Sequence, residues 1–356
     1  MLERRRDRFE GLVLGTAVGD ALGYPAEGLS RKRLGKLYPG RWRHRFFFGR
    51  GAISDDTDHT VFVAQALLLH PDDPELFARR LAMSLRWWLL GMPVGIGRAT
   101  MRAILRLWIG VPPTRSGVNS AGNGAAMRAA VIGARFARDG AALETYLAVQ
   151  TRITHSDRRA LVGATAVAYL AAWTIRDSLA ARPDAARLLA VLHSVPDADA
   201  AWHGLVDRIA AAARAELTVE AFADTIGLSE GITGYVYHTV PVAVYAWYRH
   251  FGDFEATLGA VMSCGGDTDT TGAIAGALAG AVVGEGGIPP DWIAGIIDWP
   301  RGTRRLRDIA ERLRDAQAGR IAHFAVSYFW PGMLLRNLIV LWVTLAHQAR
   351  RLAPPY

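Results

Sequence analysis

The chain has 356 residues, 51% of them hydrophobic, enough for one large core or two ordinary ones. Its net charge of +8 is uneven: residues 1–50 carry 12 Lys+Arg against 5 Asp+Glu, residues 301–356 carry 10 against 3, and residues 51–300 carry 19 against 25. That distribution excludes a uniformly basic nucleic-acid binder, and the single cysteine, Cys264, excludes an internal disulfide.

In chain order, the charged start MLERRRDRFE runs into GLVLGTAVGDALG without a signal-peptide layout. With one thiol, this suits a reducing compartment, and a cytoplasmic protein is expected. Helical spacing or Ala-rich composition predicts helices over 58–70, 75–90, 93–108, 124–138, 158–175, 199–216, 239–250 and 270–284. Gly91 with Pro93, Pro112-Pro113, Pro183, Pro196, Gly252 and Pro289-Pro290 punctuate them. No strand alternation persists, which argues against a doubly wound nucleotide fold. Nothing reads as a linker in the first 320 residues, and no solenoid repeat is evident. The expectation is one all-α domain over 1–320 with an apolar tail over 321–356. Gly272, Gly276, Gly280 and Gly284 stripe one helix face, as close helix packing requires, and Cys264 reads as buried and inert.

Two acidic clusters carry the chemistry. Ser54, Asp55, Asp56 and Thr57 precede one apolar helix, and GGDTDTTG, with Asp267 and Asp269, precedes another. A single Asp would cap a helix start. Asp55, Asp56 and Asp58 together, and Asp267 with Asp269, exceed that need. Carboxylates so crowded repel unless a cation lies between them. Their hard oxygens suit Mg²⁺, Ca²⁺ or Mn²⁺ rather than zinc, and no zinc-type His pair is present. Four carboxylates would largely balance two divalent ions, which can clamp a substrate oxygen or activate water. An acidic centre between basic ends fits a cation site inside and an anionic ligand or surface outside.

The segments GLVLGTAVGDALGYPAEG (11–28), SDDT (54–57), GNGAAMRAAVIG (122–133), THSD (154–157), GYVYHTVPVAVYAW (234–247) and GGDTDTTGAIAGALAG (265–280) resemble, in order, those of the ADP-ribosylglycohydrolases. The resemblance spans roughly residues 9–300. It implies a compact orthogonal multi-helix bundle, a centre of two Mg²⁺ (or Mn²⁺), and removal of ADP-ribose from a modified group such as a protein arginine. It implies metal ligands at Ser54, Asp55, Asp56, Asp267, Asp269 and Thr270, where the family often has Thr at the position of Ser54. It places Glu27, otherwise a surface carboxylate, beside the metals. Asp56, Asp269 and Glu27 become the residues expected to manage the proton of the attacking water at an oxocarbenium-like transition state.

The Gly-rich stretch with Gly122, Asn123, Gly124 and Met127 reads alone as a turn with an Asn cap. The resemblance makes it the loop that touches ribose and diphosphate. His155 alone reads as a cap-region histidine and Tyr235 as core. The resemblance sets His155 near the diphosphate or ribose and Tyr235 against the adenine. No metal aspartate is missing, which favours an enzyme over an inactive ADP-ribose-binding scaffold. A hydrolase of a small ribosyl conjugate stays open.

The tail, residues 324–356, is unusually apolar. A spanning helix would put Arg336 and Asn337 near its centre. A helical period instead gathers Arg336, Asn337, Thr344, His347, Gln348 and Arg351 into one arc and leaves the rest to Met, Leu, Ile, Val and Trp. This predicts an amphipathic helix started by Pro331-Gly332 and stopped by Pro354-Pro355. Its apolar face is expected either to pack on the body or a second subunit, or to lie in a membrane interface. In the membrane case, Trp330 and Trp342 would seat it, and Arg350, Arg351 and the Arg-rich 301–320 stretch would meet anionic lipid.

Overall fold

The computed structural model describes residues 2–297, 299–300, 302–320 and 330–352, with backbone only at 2–7 and 330. The helices are α1 (Leu2–Gly23), α2 (Arg31–Leu37), α3 (Asp55–Leu69), α4 (Pro74–Leu90), α5 (Arg98–Trp108), α6 (Ala130–Arg135), α7 (Gly140–Thr154), α8 (Arg158–Asp177) and α9 (Ala185–His193). They continue as α10 (Ala200–Arg214), α11 (Val219–Thr225), α12 (Val236–Arg249), α13 (Phe254–Ser263), α14 (Thr268–Val283), α15 (Pro290–Gly295), α16 (Gly302–Gln317) and α17 (Trp330–Arg351). Among the described residues there is no sheet, only isolated β-bridges. The all-α reading holds.

Side-chain caps explain many of these starts. Nine helices, α2, α3, α4, α7, α8, α9, α10, α11 and α13, begin on a Ser, Thr or Asp whose oxygen accepts a hydrogen bond from the first turn. Asp267 occupies the same position before α14 and makes no such bond. Its carboxylate is committed elsewhere.

At the centre, every residue of α14 from Thr268 to Val282 is buried, and α1, α8, α12 and α13 pack around it. The closest packing is with α1, which runs antiparallel to it. Gly11, Gly15, Gly19 and Gly23 of α1 lie against the backbone at Gly280, Gly276, Gly272 and Thr268, and a Cβ at any of the four would come closer than 3.0 Å to main-chain atoms. The α14 stripe therefore has a matching stripe on α1. Because the pair is antiparallel, the end of α1 meets the start of α14. That end leads into a short 3₁₀ turn (Tyr24–Ala26) and Glu27.

Several expectations are corrected. The helix predicted over 93–108 begins only at Arg98, and that over 124–138 shrinks to 130–135 after a 3₁₀ turn at Asn123–Ala125. The displaced residues form loops around the cavity described below. Helices α1, α2, α7, α9, α11, α13, α15 and α16 were not predicted. The Arg-rich stretch carries helix α16. Helix α16 buries Leu306, Ile309, Ala310 and Leu313 on α1 and α3, while Arg307 pairs with Glu285, and Arg314 with Glu311 and Asp315. Cys264 is buried, and burial pushes its thiol up to about 12.

Of the expected arrangements of the tail helix, packing of its apolar face on the body is not what is found. Most of its polar arc turns inward: Arg336 donates to the Ile53 carbonyl, Asn337 to the Gly91 carbonyl at 2.7 Å, and Thr344 bonds Tyr24 Oη at 3.3 Å. His347 bonds the Phe46 carbonyl at 2.7 Å and Arg351 the Pro25 carbonyl at 3.0 Å, while Gln348 stays exposed. Of the apolar residues, Met333 and Val340 are buried, but Leu335, Leu338, Ile339, Trp342 and Leu345 face out. Among the described residues no helix is long and apolar enough to cross a membrane. The Trp330 side chain, residues 324–329 and the Pro354-Pro355 stop lie outside the described residues.

Candidate active site

Three helix ends converge: the end of α1 and the starts of α3 and α14. The buried carboxylate of Asp20, in the last turn of α1, organises the first two. It accepts from Ser54 N at 2.9 and 3.0 Å, from Thr57 N at 3.1 Å and from Thr57 Oγ1 at 2.5 Å. This clamp holds the Ser54–Thr57 turn so that Asp55 reaches a cavity of about 550 Å³. Asp267, Asp269 and Thr270 from the start of α14 line the same cavity, as does Glu27.

Asp56 lies beneath it rather than on its wall. One oxygen accepts from Ser54 Oγ at 3.1 Å and Thr270 Oγ1 at 3.3 Å, so it joins the two clusters. The other, Oδ1, is buried and without a hydrogen-bond partner. Ser54 also caps α3 through Asp56 N. Asp58 is not part of this group: it accepts from Trp88 Nε1 at 2.9 Å inside the core.

The opposite wall is the 120–128 loop with His155 and Tyr235. Gly122, Asn123, Gly124, Met127, His155 and Tyr235 all line the cavity. Asn123 Nδ2 donates to Asp267 Oδ2 at 2.7 Å and to Thr239 Oγ1 at 2.9 Å, which ties the loop to the acidic wall. A Cβ at Gly122 or Gly124 would crowd the His155 ring at 3.1 or 2.9 Å, so the imidazole sits where only glycine leaves room. His155 Nδ1 lies 2.8 Å from Thr154 Oγ1, which itself accepts from Arg128 Nη2 at 2.7 Å. Donation of the Thr154 hydroxyl proton to Nδ1 would leave Nε2 as the protonated nitrogen toward the loop. Burial and Arg128 push His155 down to about 3, so it acts as a neutral donor, not a cation. Tyr235 is half-buried, with the Arg159 guanidinium 5.7 Å from its ring centroid.

The electrostatics follow from this crowding. Burial, then Asp267, raises Glu27 to about 7, against the opposing pull of Arg351. Burial, then Asp20 and Glu27, raises Asp55 to about 8. Asp56 and Asp269 are raised well above the usual range, first by burial and then by neighbouring carboxylates. Among the described residues, no three His, Cys, Asp or Glu side chains are drawn together tightly enough to form a metal-ligand set as they stand. The donor chemistry nevertheless fits a hard divalent cation: carboxylate and hydroxyl oxygens, mutual repulsion, and the orphaned Asp56 Oδ1.

The structure therefore gathers the expected residues around one cavity, with Ser54 and Asp56 just below it. Sequence reasoning missed Asp20, a lone acid in an apolar helix. It also missed Arg128, fully buried, which donates to Gln150 and Thr154 under the loop. Gly95, Gly97, Arg98 and Thr100 at the start of α5 complete the wall.

The sequence profile of the ADP-ribosylglycohydrolases matches residues 1–322. An uncharacterised protein of Archaeoglobus fulgidus is 35% identical over 300 residues, 82% of this chain and 92% of that one. The ADP-ribosyl-[dinitrogen reductase] glycohydrolase of Rhodospirillum rubrum is 30% identical over 300 residues, 81% of this chain and 90% of that one. A solved structure described as an ADP-ribosylglycohydrolase-related protein complex superposes with a TM-score of 0.67 at 28% identity, covering 88% of this chain and 99% of that one. The chain belongs to the ADP-ribosylglycohydrolase family.

Proposed function

We propose that this cavity hydrolyses the glycosidic bond between ADP-ribose and a protein side chain, arginine foremost, with two Mg²⁺ (or Mn²⁺) bound. The observation that carries the reading is the cavity itself. One wall is carboxylate and hydroxyl, the other is a glycine loop with a neutral histidine and a half-buried tyrosine, and its volume lies in the usual range for ligand sites. The relative from Rhodospirillum rubrum, named for ADP-ribosylated dinitrogen reductase, supports a protein substrate. The cytoplasm fits a chain with one buried cysteine.

Ser54, Asp55, Asp56, Asp267, Asp269 and Thr270 would hold the metals. When bound, these would supply concentrated positive charge that fixes ribose hydroxyls and polarises oxygen. The protein's own residues do the rest. The Gly122–Gly124 backbone and His155 Nε2 approach ribose and diphosphate, and Arg98 at the rim offers a cation to the phosphates. Water adds to the anomeric carbon as the carbon–nitrogen bond breaks, and the bond electrons leave with the guanidine. Glu27, a carboxylate on the cavity wall, accepts the water proton and returns it to the leaving nitrogen.

The test is ADP-ribose release from Arg-, Ser- and Thr-modified peptides with Mg²⁺ and with chelator. Release from the arginine peptide, abolished by chelator, is expected; no release from any peptide would sink the reading. Metal should also stabilise the fold by about 2.7 kcal/mol at a hundredfold excess over Kd. A melting temperature that ignores both EDTA and Mg²⁺ would contradict this. Tyr235→Ala should weaken ADP-ribose binding by roughly 1–3 kcal/mol, the range for base–aromatic stacking. Unchanged affinity by calorimetry would return Tyr235 to a packing role.

A further inference from the structure

We propose that the outward face of α17, with the two loops that flank it, docks on an anionic lipid surface. Leu335, Leu338, Ile339, Trp342 and Leu345 recur at steps of three and four, forming one exposed apolar stripe about 15 Å long. Trp342 is 73% exposed. The stripe cannot be hidden by rolling the helix over. Arg336, Asn337, Thr344 and His347 are bonded to the body, and Val340 packs with Tyr24, Phe46 and Ala52 beneath.

The flanking loops repeat the pattern. The loop that supplies the Phe46 carbonyl to His347 continues into Phe47 and Phe48, and Phe48 is 92% exposed. The loop that supplies the Gly91 carbonyl to Asn337 carries exposed Leu90 and Met92 on either side. Phe48 and Met92 both take the left-handed backbone conformation, with φ of 45° and 53°, which bulky side chains rarely adopt. Phe48 meets only the edge of the Phe47 ring, 4.6 Å between centroids, and Phe47, Phe48 and Met92 all stay exposed.

Charge decides the occupant. No acidic residue occurs between Glu27 and Asp55, and none follows Asp315. Arg43, Arg50 and Arg350 are exposed on the segments that flank or end this face. A symmetric dimer through this face would set a cationic rim against itself. An anionic bilayer complements both the stripe and the rim, as for interfacial helices with basic flanks.

The experiment is flotation of the full chain with phosphatidylcholine vesicles, with and without phosphatidylglycerol, at low and high salt. The double variant Ile339→Glu/Trp342→Glu runs alongside. The wild type should float with phosphatidylglycerol vesicles roughly tenfold better than with phosphatidylcholine alone, and salt should weaken this. The variant should stay unbound while its thermal unfolding matches the wild type, because both positions are exposed. Failure of the wild type to float on anionic vesicles at low salt overturns the proposal, as does equal flotation of the variant. Sedimentation without lipid supplies the remaining arm: a dimer that the variant dissolves assigns the face to self-association instead. These readouts do not depend on hydrolysis, so they stand apart from the proposed activity.

Discussion

Asp269→Asn should lower ADP-ribose release by about 10²-fold or more at saturating Mg²⁺, on the scale of losing one charged group at a reacting centre. Asp269 is buried in the first turn of α14, and its carboxyl is raised by burial, then by Glu27, Asp267 and Asp56. Asparagine keeps the shape and the oxygen that accepts from Thr270 N at 3.0 Å. It removes only the charge. Two stability effects of opposite sign should follow. Without metal, the variant should melt no lower than the wild type, because one member of a repelling cluster is gone. With Mg²⁺, it should gain less than the wild type does. Scanning fluorimetry with and without metal, beside a turnover assay, reads all three outcomes. Wild-type turnover in the variant would remove Asp269 from the site.

The second large effect lies away from the cavity. Gly19→Ala should cost about 3 kcal/mol, at the upper end for overpacking. A Cβ there would collide with the carbonyl group of Gly272, and these are main-chain atoms that no rotamer change can move. To fit, α1 must separate from α14 next to the junction where Asp20 and Glu27 approach Asp267 and Asp269. Activity should therefore fall with stability. Gly204→Ala provides the contrast: it lies within α10, and nothing stands within 4 Å of its Cβ position. It should gain roughly 0.5–1 kcal/mol from the better helix former. Chemical denaturation of the two variants tests this, and equal midpoints would refute the close backbone contact.

Much of the site was legible because its chemistry is local in sequence. Asp55 with Asp56, and Asp267 with Asp269, are crowded beyond any capping need. Asp267 makes no cap bond, while nine other helix starts do. What was not legible depends on partners far along the chain. Asp20 looks like a stray acid in GLVLGTAVGDALG until Ser54 and Thr57 fold over it. Arg128 looks like a solvated arginine until Gln150 and Thr154 enclose it. Helix α1 escaped prediction because its glycines, poor helix formers singly, serve a neighbour 245 residues away. In α17 periodicity revealed two faces but not which one meets the body. Carbonyls at Phe46 and Ile53 in the α2–α3 connection and at Gly91 in the α4–α5 connection made that choice.

The α1–α14 pairing also orders events during synthesis. Helix α1 is made first, and Thr268, which donates to the Gly23 carbonyl at 2.8 Å, follows 245 residues later. At roughly 5–20 residues per second that is a wait of about 12–50 s. Through it the glycine face of α1 has no mate, and Asp20 and Glu27 at its end lack Asp267 and Asp269 beside them. A nascent chain that has emerged only as far as α13 thus holds Asp55 and Asp56 but neither Asp267, Asp269 nor α14. The cavity closes only once α14 has been made, through a pairing of high sequence separation, which favours slow folding.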